Sequence, residues 1–342
     1  MELPPGGLSW REYVERWVDD CGGWIALADT LIARAQDAVE IALDPQTVER
    51  GLRRLATRGH KPGGQYGRWM LRFFGFTSPV ERWVRWLGSY HGRFADLPCS
   101  LRLELLALWN RPPVAESPLA CWIELGTAIA HYSRLDLDAC RHWLARAEKH
   151  AGSPEAEIEC ALFGAQLAAD AGGHDEERLR LAETLAASGD VVARARIADL
   201  RSRQWSRPLA GEPVDLERAR ACYESIPEST QPFPAFRKHV GLAYCAWRLG
   251  DEARARELVS RAVDDAGDGG LVRMRIQALN MLSRLVPRDE AAAVNARAHA
   301  MAASLEDEEL LRRVNASLAS SSERRAVAAS PQPITCVAPA PQ

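Results

Sequence analysis

Lysine is scarce in this chain. Of its 43 basic residues, three are lysine (Lys61, Lys149 and Lys238) and 40 are arginine. Because 46 acidic residues bring the formal net charge to -3, a general attraction of the whole molecule to nucleic acid or to an acidic membrane is excluded. We attribute the excess of arginine to a compositional bias that also favours alanine, and we look for function only where arginines cluster.

Long apolar segments are also missing. No run approaches the ~18 residues of a membrane span, and the first residues, MELPPGGLSW, contain no basic segment followed by an apolar one, as a signal peptide would. The eight cysteines are scattered, without a C-x-x-C pair. Scattered thiols in apolar helical stretches are typical of a reducing compartment. We therefore predict a cytoplasmic protein with no membrane partner.

Motifs of catalysis and of cofactor binding are absent: the chain has no H-E-x-x-H, no G-x-x-x-x-G-K and no G-x-S-x-G. The nearest group to a metal site pairs Asp138 with His142, one helical turn apart, beside His131 and Asp136. A metal needs three or four converging ligands, whereas such pairs are common on helix surfaces. We predict no metal, no cofactor and no enzymatic activity.

Strand patterns are missing as well. Apolar residues recur at steps of three and four, interrupted by GG, GD, PP and SP, which predicts an all-α protein. The adjacent prolines at 112 and 113 cannot continue a helix, and most tryptophans precede them. We expect a Trp-rich helical domain over 1–115, helical repeats over 116–305, and a terminal segment, 306–342, that ends in a disordered Ala/Ser/Pro tail.

The second half contains an internal repeat. A small residue, a large one four later and a small or apolar one three after that recur with a period of 36 residues. The copies are Ala219, Tyr223 and Ile226; Ala255, Val259 and Ala262; and Ala291, Asn295 and Ala298. An earlier copy, Cys140, Leu144 and Ala147, precedes Ala219 by about two periods.

These residues resemble the tetratricopeptide repeat family over about 118–305, most closely in VGLAYCAWRLGDEARARELVSRA at 240–262. The resemblance implies a right-handed α-solenoid whose first helices line a concave face; a looser array of helical hairpins is the alternative. It implies a protein or peptide partner, and the arginines suit an acidic one. The residues expected on this face are Arg237, Tyr244, Trp247, Arg248, Arg273, Asn280 and Arg284.

The first half carries a basic segment, 46–72, with seven basic side chains against one acidic one. Asp44 and Pro45 predict a helix start, and Val48, Leu52 and Leu55 share one stripe of that helix. A second helix follows after Gly59 and KPGG. The arginines expected to face outward from the two helices are Arg50, Arg53, Arg54, Arg58, Arg68 and Arg72.

The pattern TVERGLRRLATRG resembles the recognition helix of helix-turn-helix and winged-helix regulators, within an element spanning 24–59 or, with the second basic helix, 24–74. That resemblance implies arginines in the major groove of DNA. Seven residues, VEIALDP, separate the two helices where three or four are expected, and no wing strands follow. The alternative is a solvated arginine face on a helix that only packs.

Two functions remain from the sequence. The first is a non-enzymatic interaction protein that binds a protein or peptide in its concave face. The alternative is a transcription regulator with a DNA-binding first domain and repeats that sense a partner, similar to bacterial peptide-responsive regulators.

Overall fold

The computed structural model describes residues 6–36, 38, 44–59, 64–187 and 189–316. In these ranges all regular secondary structure is helical, which confirms the all-α prediction. Short 3-10 helices cover Arg93–Asp96 and Val114–Glu116. The α-helices are α1 Trp10–Cys21, α2 Trp24–Ala35, α3 Pro45–Arg58, α4 Gln65–Phe73, α5 Ser78–Gly88, α6 Cys99–Trp109, α7 Ala120–Ser133, α8 Leu137–His150, α9 Pro154–Asp170, α10 Glu176–Leu185, α11 Val191–Ser206, α12 Leu216–Glu224, α13 Pro232–Arg248, α14 Glu252–Asp268, α15 Val272–Leu282, α16 Arg288–Ser304 and α17 over 308–316.

Helix α3 begins and ends where its sequence predicts. The Asp44 carboxylate accepts a hydrogen bond from the Thr47 backbone N–H at 3.0 Å, and Pro45 takes a first-turn position, where no N–H is needed. At the other end, Gly59 has a φ of +72°, which an L side chain rarely adopts. The stripe of Val48, Leu52 and Leu55 is buried, as predicted.

The first four helices form one bundle. Helix α1 packs against α2 and α3, and α2 packs against α3 and α4. The Tyr13 hydroxyl of α1 lies 2.9 Å from the Met70 carbonyl and 2.7 Å from the Gly75 carbonyl, so it ties α1 to the end of α4. This bundle holds α3 and α4 at the surface with their apolar sides turned inward.

The bundle and the following helices share one apolar core. Buried side chains from Leu8 in the first segment to Ala278 in α15 belong to a single cluster. Helix α5 crosses α7 at two glycines: a Cβ on Gly88 would lie 2.4 Å from the Trp122 carbonyl oxygen, and one on Gly126 would lie 2.7 Å from the Leu87 carbonyl oxygen. The composition break near residue 115 therefore does not interrupt the core.

Helices α7 to α16 pack as consecutive pairs, α7 with α8 through to α15 with α16. First helices also contact each other: α9 packs against α7 and α11, and α13 against α11 and α15. The repeated residues Ala219, Ala255 and Ala291 are all buried, and each lies four positions after the residue that caps its helix. The repeat is thus a repeat of helix pairs.

The last helices return to the first ones. The Asp96 carboxylate accepts hydrogen bonds from the backbone N–H groups of Val272 and Arg273 at 3.0 and 3.1 Å, capping α15. The Cys99 N–H donates to the Leu305 carbonyl at 3.0 Å. Through these contacts, segment 96–99 joins both α15 and the turn between α16 and α17.

Helix α17 contacts the first helices of three pairs, α7, α9 and α15. Its Arg313 guanidinium donates to the Tyr132 hydroxyl of α7 at 3.1 Å and to the Asp170 carboxylate of α9 at 3.2 Å. Its Leu310 and Val314 pack in the same cluster as Ile276 of α15. One helix therefore bridges the first, second and last pairs.

None of the helices in the described ranges is long and apolar enough to span a membrane. The Ala/Ser/Pro tail predicted to be disordered lies, from residue 317 onward, outside the described residues.

Candidate nucleic-acid interface

The six arginines predicted to face outward from α3 and α4 are all exposed. They share this surface with Gln46 and Thr47 in the first turn of α3, which are exposed as well. The only acidic residue of the segment, Glu49, is half-buried and ion-paired with Arg53 at 2.8 Å. The face therefore carries a strong excess of positive charge, and we call it the arginine face.

Two of these arginines are held in place by the helix itself. The Arg50 guanidinium donates to the Thr47 hydroxyl at 3.1 Å and to the Gln46 carbonyl at 3.3 Å. Arg53 adds to its ion pair a position 4.6 Å from the ring centroid of Trp24 in α2. A cation over an aromatic face is stabilised by the ring's negative π-cloud, so Arg53 also contributes to the packing of α2 on α3.

Arg54 and Arg58 differ from these two. Within the described part of the chain, neither guanidinium has an ion pair, a hydrogen bond or an aromatic contact. They lie one helical turn apart, and with Arg50 they form a row at intervals of four residues. Such a row presents fork-shaped donors that match the geometry of phosphate or carboxylate oxygens.

A cavity of about 480 Å³ opens beside this row, between α3 and α4. Its cationic lining is Arg50, Arg54 and Arg58, and four glycines line the rest together with Thr47, Leu55 and Tyr66. The Tyr66 ring lies against α3 at Gly51, where an added Cβ would be 2.3 Å from the ring. The glycine thus permits the close approach that forms one wall of the cavity.

Helix α4 extends the positive surface. Arg68 donates from Nε to the Gly64 carbonyl at 3.3 Å, and Arg72 lies 5.3 Å from the Phe73 ring centroid. A seventh exposed arginine, Arg34 of α2, donates to the Phe73 carbonyl at 2.9 Å and lies 4.3 Å from the Phe74 ring centroid. Arg34 is not among the residues predicted for this surface, although it too lies in the last turn of an amphipathic helix.

The bounds of α2 and α3 differ from those predicted for a helix-turn-helix element. Residues 36–44 separate the two helices, so the expected gap of seven residues, VEIALDP, is wrong at both ends. Helix α2 already ends at Ala35, and Pro45 belongs to α3, because a first-turn proline fits a helix. No wing strand occurs among the described residues.

Of the seven residues predicted on the concave face, two are buried and five are half-buried or exposed. Arg237 and Arg273 were expected to be available to a partner, and this is wrong for the structure: both are almost fully buried. Arg237 pairs with Asp199 at 3.2 Å, and Arg273 pairs with Asp307 at 2.9 Å. The expectation assumed an open groove, whereas both guanidinium groups are paired with carboxylates inside the packed helices.

The other predicted residues lie at the surface in two groups. Tyr244 and Trp247 are half-buried neighbours with ring centroids 6.1 Å apart, and the exposed Arg248 donates to the Tyr244 hydroxyl at 2.7 Å. Asn280 and Arg284 are half-buried beside a second cavity. Arg284 connects the groups, since its guanidinium lies 5.5 Å from the Trp247 ring centroid.

The sequence group that resembled a metal site forms one short contact. His131 Nδ1 lies 3.2 Å from the Asp136 carboxylate, which also caps α8. Over the described ranges, no group of three or more His, Cys, Asp or Glu side chains has the arrangement of a metal site.

No protein-family model matches the chain, and no curated protein or solved structure shows significant similarity to it.

Proposed function

We propose that this protein binds nucleic acid through the arginine face of α3 and α4, with duplex DNA as its ligand. The observation that carries the proposal is the row of Arg50, Arg54 and Arg58 beside an open cavity, where Arg54 and Arg58 have no partner among the described residues. The net charge of -3 makes this a local interaction, in which one positive face meets the polyanion.

The physical basis is phosphate binding. Guanidinium groups at the surface neutralise backbone phosphates and release condensed counterions, which gives affinity without reading sequence. Exposed Gln46, Thr47 and Arg50 at the start of α3 are residue types that also contact base edges when a helix enters the major groove. The long connection before α3 and the absence of a described wing favour backbone contact as the larger contribution.

The test is a gel-shift and fluorescence-anisotropy series on the full chain with random 20-base-pair duplexes over a range of salt. The full chain is used because the bundle shares its core with the later helices. We expect Arg54→Ala with Arg58→Ala to weaken binding at low salt by about tenfold or more. The slope of log affinity against log salt should fall by about two, since each lost phosphate contact contributes ~0.9.

The matched control is Arg256→Ala, which removes an exposed arginine of α14 outside the arginine face. It should bind as the unchanged protein does. Absence of duplex binding at low salt, or equal losses in the control and in the double variant, would refute the proposal.

A second function is favoured by the aromatic group on the array. Tyr244 and Trp247 lie together with three arginines around them: Arg248 and Arg207 lie 5.7 and 5.9 Å from the Tyr244 ring, and Arg284 lies beside Trp247. Aromatic and arginine side chains are enriched where interfaces are strongest. The array would thus be a tetratricopeptide-like interaction module for an acidic protein segment, binding on this surface without catalysis.

A fluorescein-labelled peptide of glutamate and leucine residues tests this second function by anisotropy. Trp247→Ala with Arg248→Ala should abolish its binding, while Arg54→Ala with Arg58→Ala should leave it intact. If the two double variants lose peptide binding equally, attraction is general and the array surface is not a specific site.

A further inference from the structure

A separate cavity lies where four parts of the chain meet. It measures about 390 Å³ and is open to solvent between the ends of α9 and α11, helix α15 and helix α17. Its floor is apolar, formed by Ile276, Leu310 and Val314. This volume is within the range of small-molecule sites, and an apolar floor with polar groups above it is their usual composition.

The walls of this cavity carry an excess of positive charge. Its four arginines are Arg207, Arg284, Arg312 and Arg313, and its one carboxylate is Asp170. That carboxylate is already used, since it pairs with Arg313 at 3.2 Å and with Arg203 at 3.3 Å. Arg207 and Arg312 therefore add positive charge to the cavity that Asp170 does not balance.

Two of these arginines have weak internal partners. Arg207 is exposed and contacts the Tyr244 ring, and among the described residues no carboxylate lies within ion-pair distance of it. Arg312 is 3.4 Å from the Glu309 carboxylate, which Arg313 also engages. Arginines from separate elements that face one cavity repel each other unless an anion lies between them.

Asn280 adds a hydrogen-bond acceptor to this cavity, whereas the arginines are donors. Its Oδ1 atom is buried, and no described donor reaches it. A buried acceptor without a partner costs roughly as much free energy as a lost hydrogen bond, so a ligand with an O–H or N–H group at this point would satisfy it.

We propose that this cavity binds a small organic anion with two or more carboxylates, whose ionic contacts are Arg207, Arg284 and Arg312. A hydroxyl or amine of the same ligand donates to Asn280 Oδ1. Planar guanidinium groups favour carboxylates because each can form two parallel hydrogen bonds. This site is separate from the arginine face, and the proposal does not depend on nucleic-acid binding.

Binding of the ligand should also stabilise the folded chain. The ligand would bridge α11 and α15 to α17, which also closes the array through Arg313 and Asp170. A ligand that binds only the folded form raises stability with its concentration, and here the gain should be largest in α17. Protection of the amides of 308–316 is therefore a local signature of binding.

The experiment measures thermal unfolding, calorimetric binding and hydrogen exchange of the full chain with citrate, succinate, inorganic phosphate and glycerol, at ionic strength matched with sodium chloride. We expect citrate to raise Tm beyond the salt control, to bind with measurable heat and to slow exchange in 308–316. Arg207→Ala, and Arg207→Ala with Arg284→Ala, should reduce the citrate affinity about tenfold or more. Because Arg207 is exposed and outside the core, the single variant keeps a folded chain to measure.

Two controls separate the outcomes. Arg254→Ala removes an exposed arginine of α14 that pairs with Glu257, and Arg54→Ala with Arg58→Ala removes two arginines of the arginine face; both variants should respond to citrate as the unchanged protein does. An equal response to citrate and to inorganic phosphate would overturn the polycarboxylate assignment. An unchanged citrate affinity in the Arg207→Ala variants, or no slower exchange in 308–316, would overturn the site itself.

Discussion

Asp199 is the centre of a buried ionic group inside the array. Its carboxylate accepts hydrogen bonds from the Tyr223 hydroxyl at 2.9 Å, from Arg203 at 3.0 Å and from Arg237 at 3.2 Å. Burial acts to raise the pKa of Asp199, but Arg203 and Arg237 outweigh it and lower the pKa to about 2. This charged carboxylate therefore compensates the burial of Arg237, and together with Asp170 it also neutralises Arg203.

We predict that Asp199→Asn lowers the free energy of unfolding at pH 7 by about 3–5 kcal/mol, because buried Arg237 loses its anion and Arg203 loses one of its anions. A folded pKa of about 2 against an unfolded value near 3.8 means that the ionised group stabilises the fold above pH ~4, by about 2 kcal/mol. That contribution is lost as the pH falls through 2. Urea unfolding at several pH values should show the deficit of the variant shrinking between pH 4 and pH 2.

Asp264→Asn provides the control, since Asp264 is exposed on α14. It should change the unfolding free energy by less than about 0.5 kcal/mol. A deficit for Asp199→Asn that stays constant from pH 7 to pH 2 would show that the loss comes from packing and not from the charge.

At the residue scale, the sequence predicts what depends on local spacing. The buried stripe of Val48, Leu52 and Leu55 follows from helical periodicity alone. The burial of Arg237 and Arg273 does not, because the carboxylates that permit it, Asp199 and Asp307, lie more than 30 residues away along the chain. Only the packing of helices brings these charges together.

The crossing of α5 and α7 is a close contact between two helix backbones. At Gly88 the two backbones approach so closely that a side chain does not fit. We predict that Gly88→Ala lowers the free energy of unfolding by about 2–3 kcal/mol, since the clash is with a backbone carbonyl that cannot rotate away. Chemical denaturation of the full chain measures this.

Gly267→Ala is the matched glycine control. Gly267 lies in α14, and a Cβ there meets no atom within 4 Å. Alanine should stabilise the helix by about 0.5–1 kcal/mol. If Gly88→Ala proved as harmless as this control, α5 and α7 would not be in the close contact described.

The second helices of four pairs begin after an aspartate. The 36-residue spacing of small residues identifies only some of these helices. Asp136, Asp175, Asp215 and Asp251 each cap the second helix of a pair by accepting a backbone N–H three residues later. Aspartate at this position is a strong N-cap, so these four residues mark four helices directly. The repeat pattern depends on a small residue in each copy. It does not identify the pair that contains α10, because Leu179 takes the place of the small residue there.

At the scale of the molecule, the last described helix, α17, packs back against the earlier helix pairs. A stack of helix pairs is expected to leave its inner side open for a partner, and the sequence offered no sign of an internal occupant. Helix α17 supplies one: it inserts Leu310 and Val314 beside α15 while Arg313 reaches α7 and α9. Tyr244 and Trp247 stay half-buried, next to Arg207 and Arg284, which line the cavity beside α17.

The contact that should matter most for closure is Asp307. One carboxylate oxygen lies 2.9 Å from Arg273 Nε, with both side chains buried, and the other caps α17 by accepting from the Leu310 N–H at 3.0 Å. We predict that Asp307→Ala releases α17, because it removes the helix cap and leaves Arg273 buried without its anion. Hydrogen exchange in 308–316 should speed up, and small-angle scattering should give a larger radius of gyration with nearly unchanged helix content by circular dichroism.

Glu308→Gln alters the neighbouring exposed side chain and should change neither the exchange rate nor the radius of gyration. If Asp307→Ala unfolds in one cooperative step at lower denaturant but keeps the original radius and exchange pattern beforehand, Asp307 contributes general stability and does not hold the array closed.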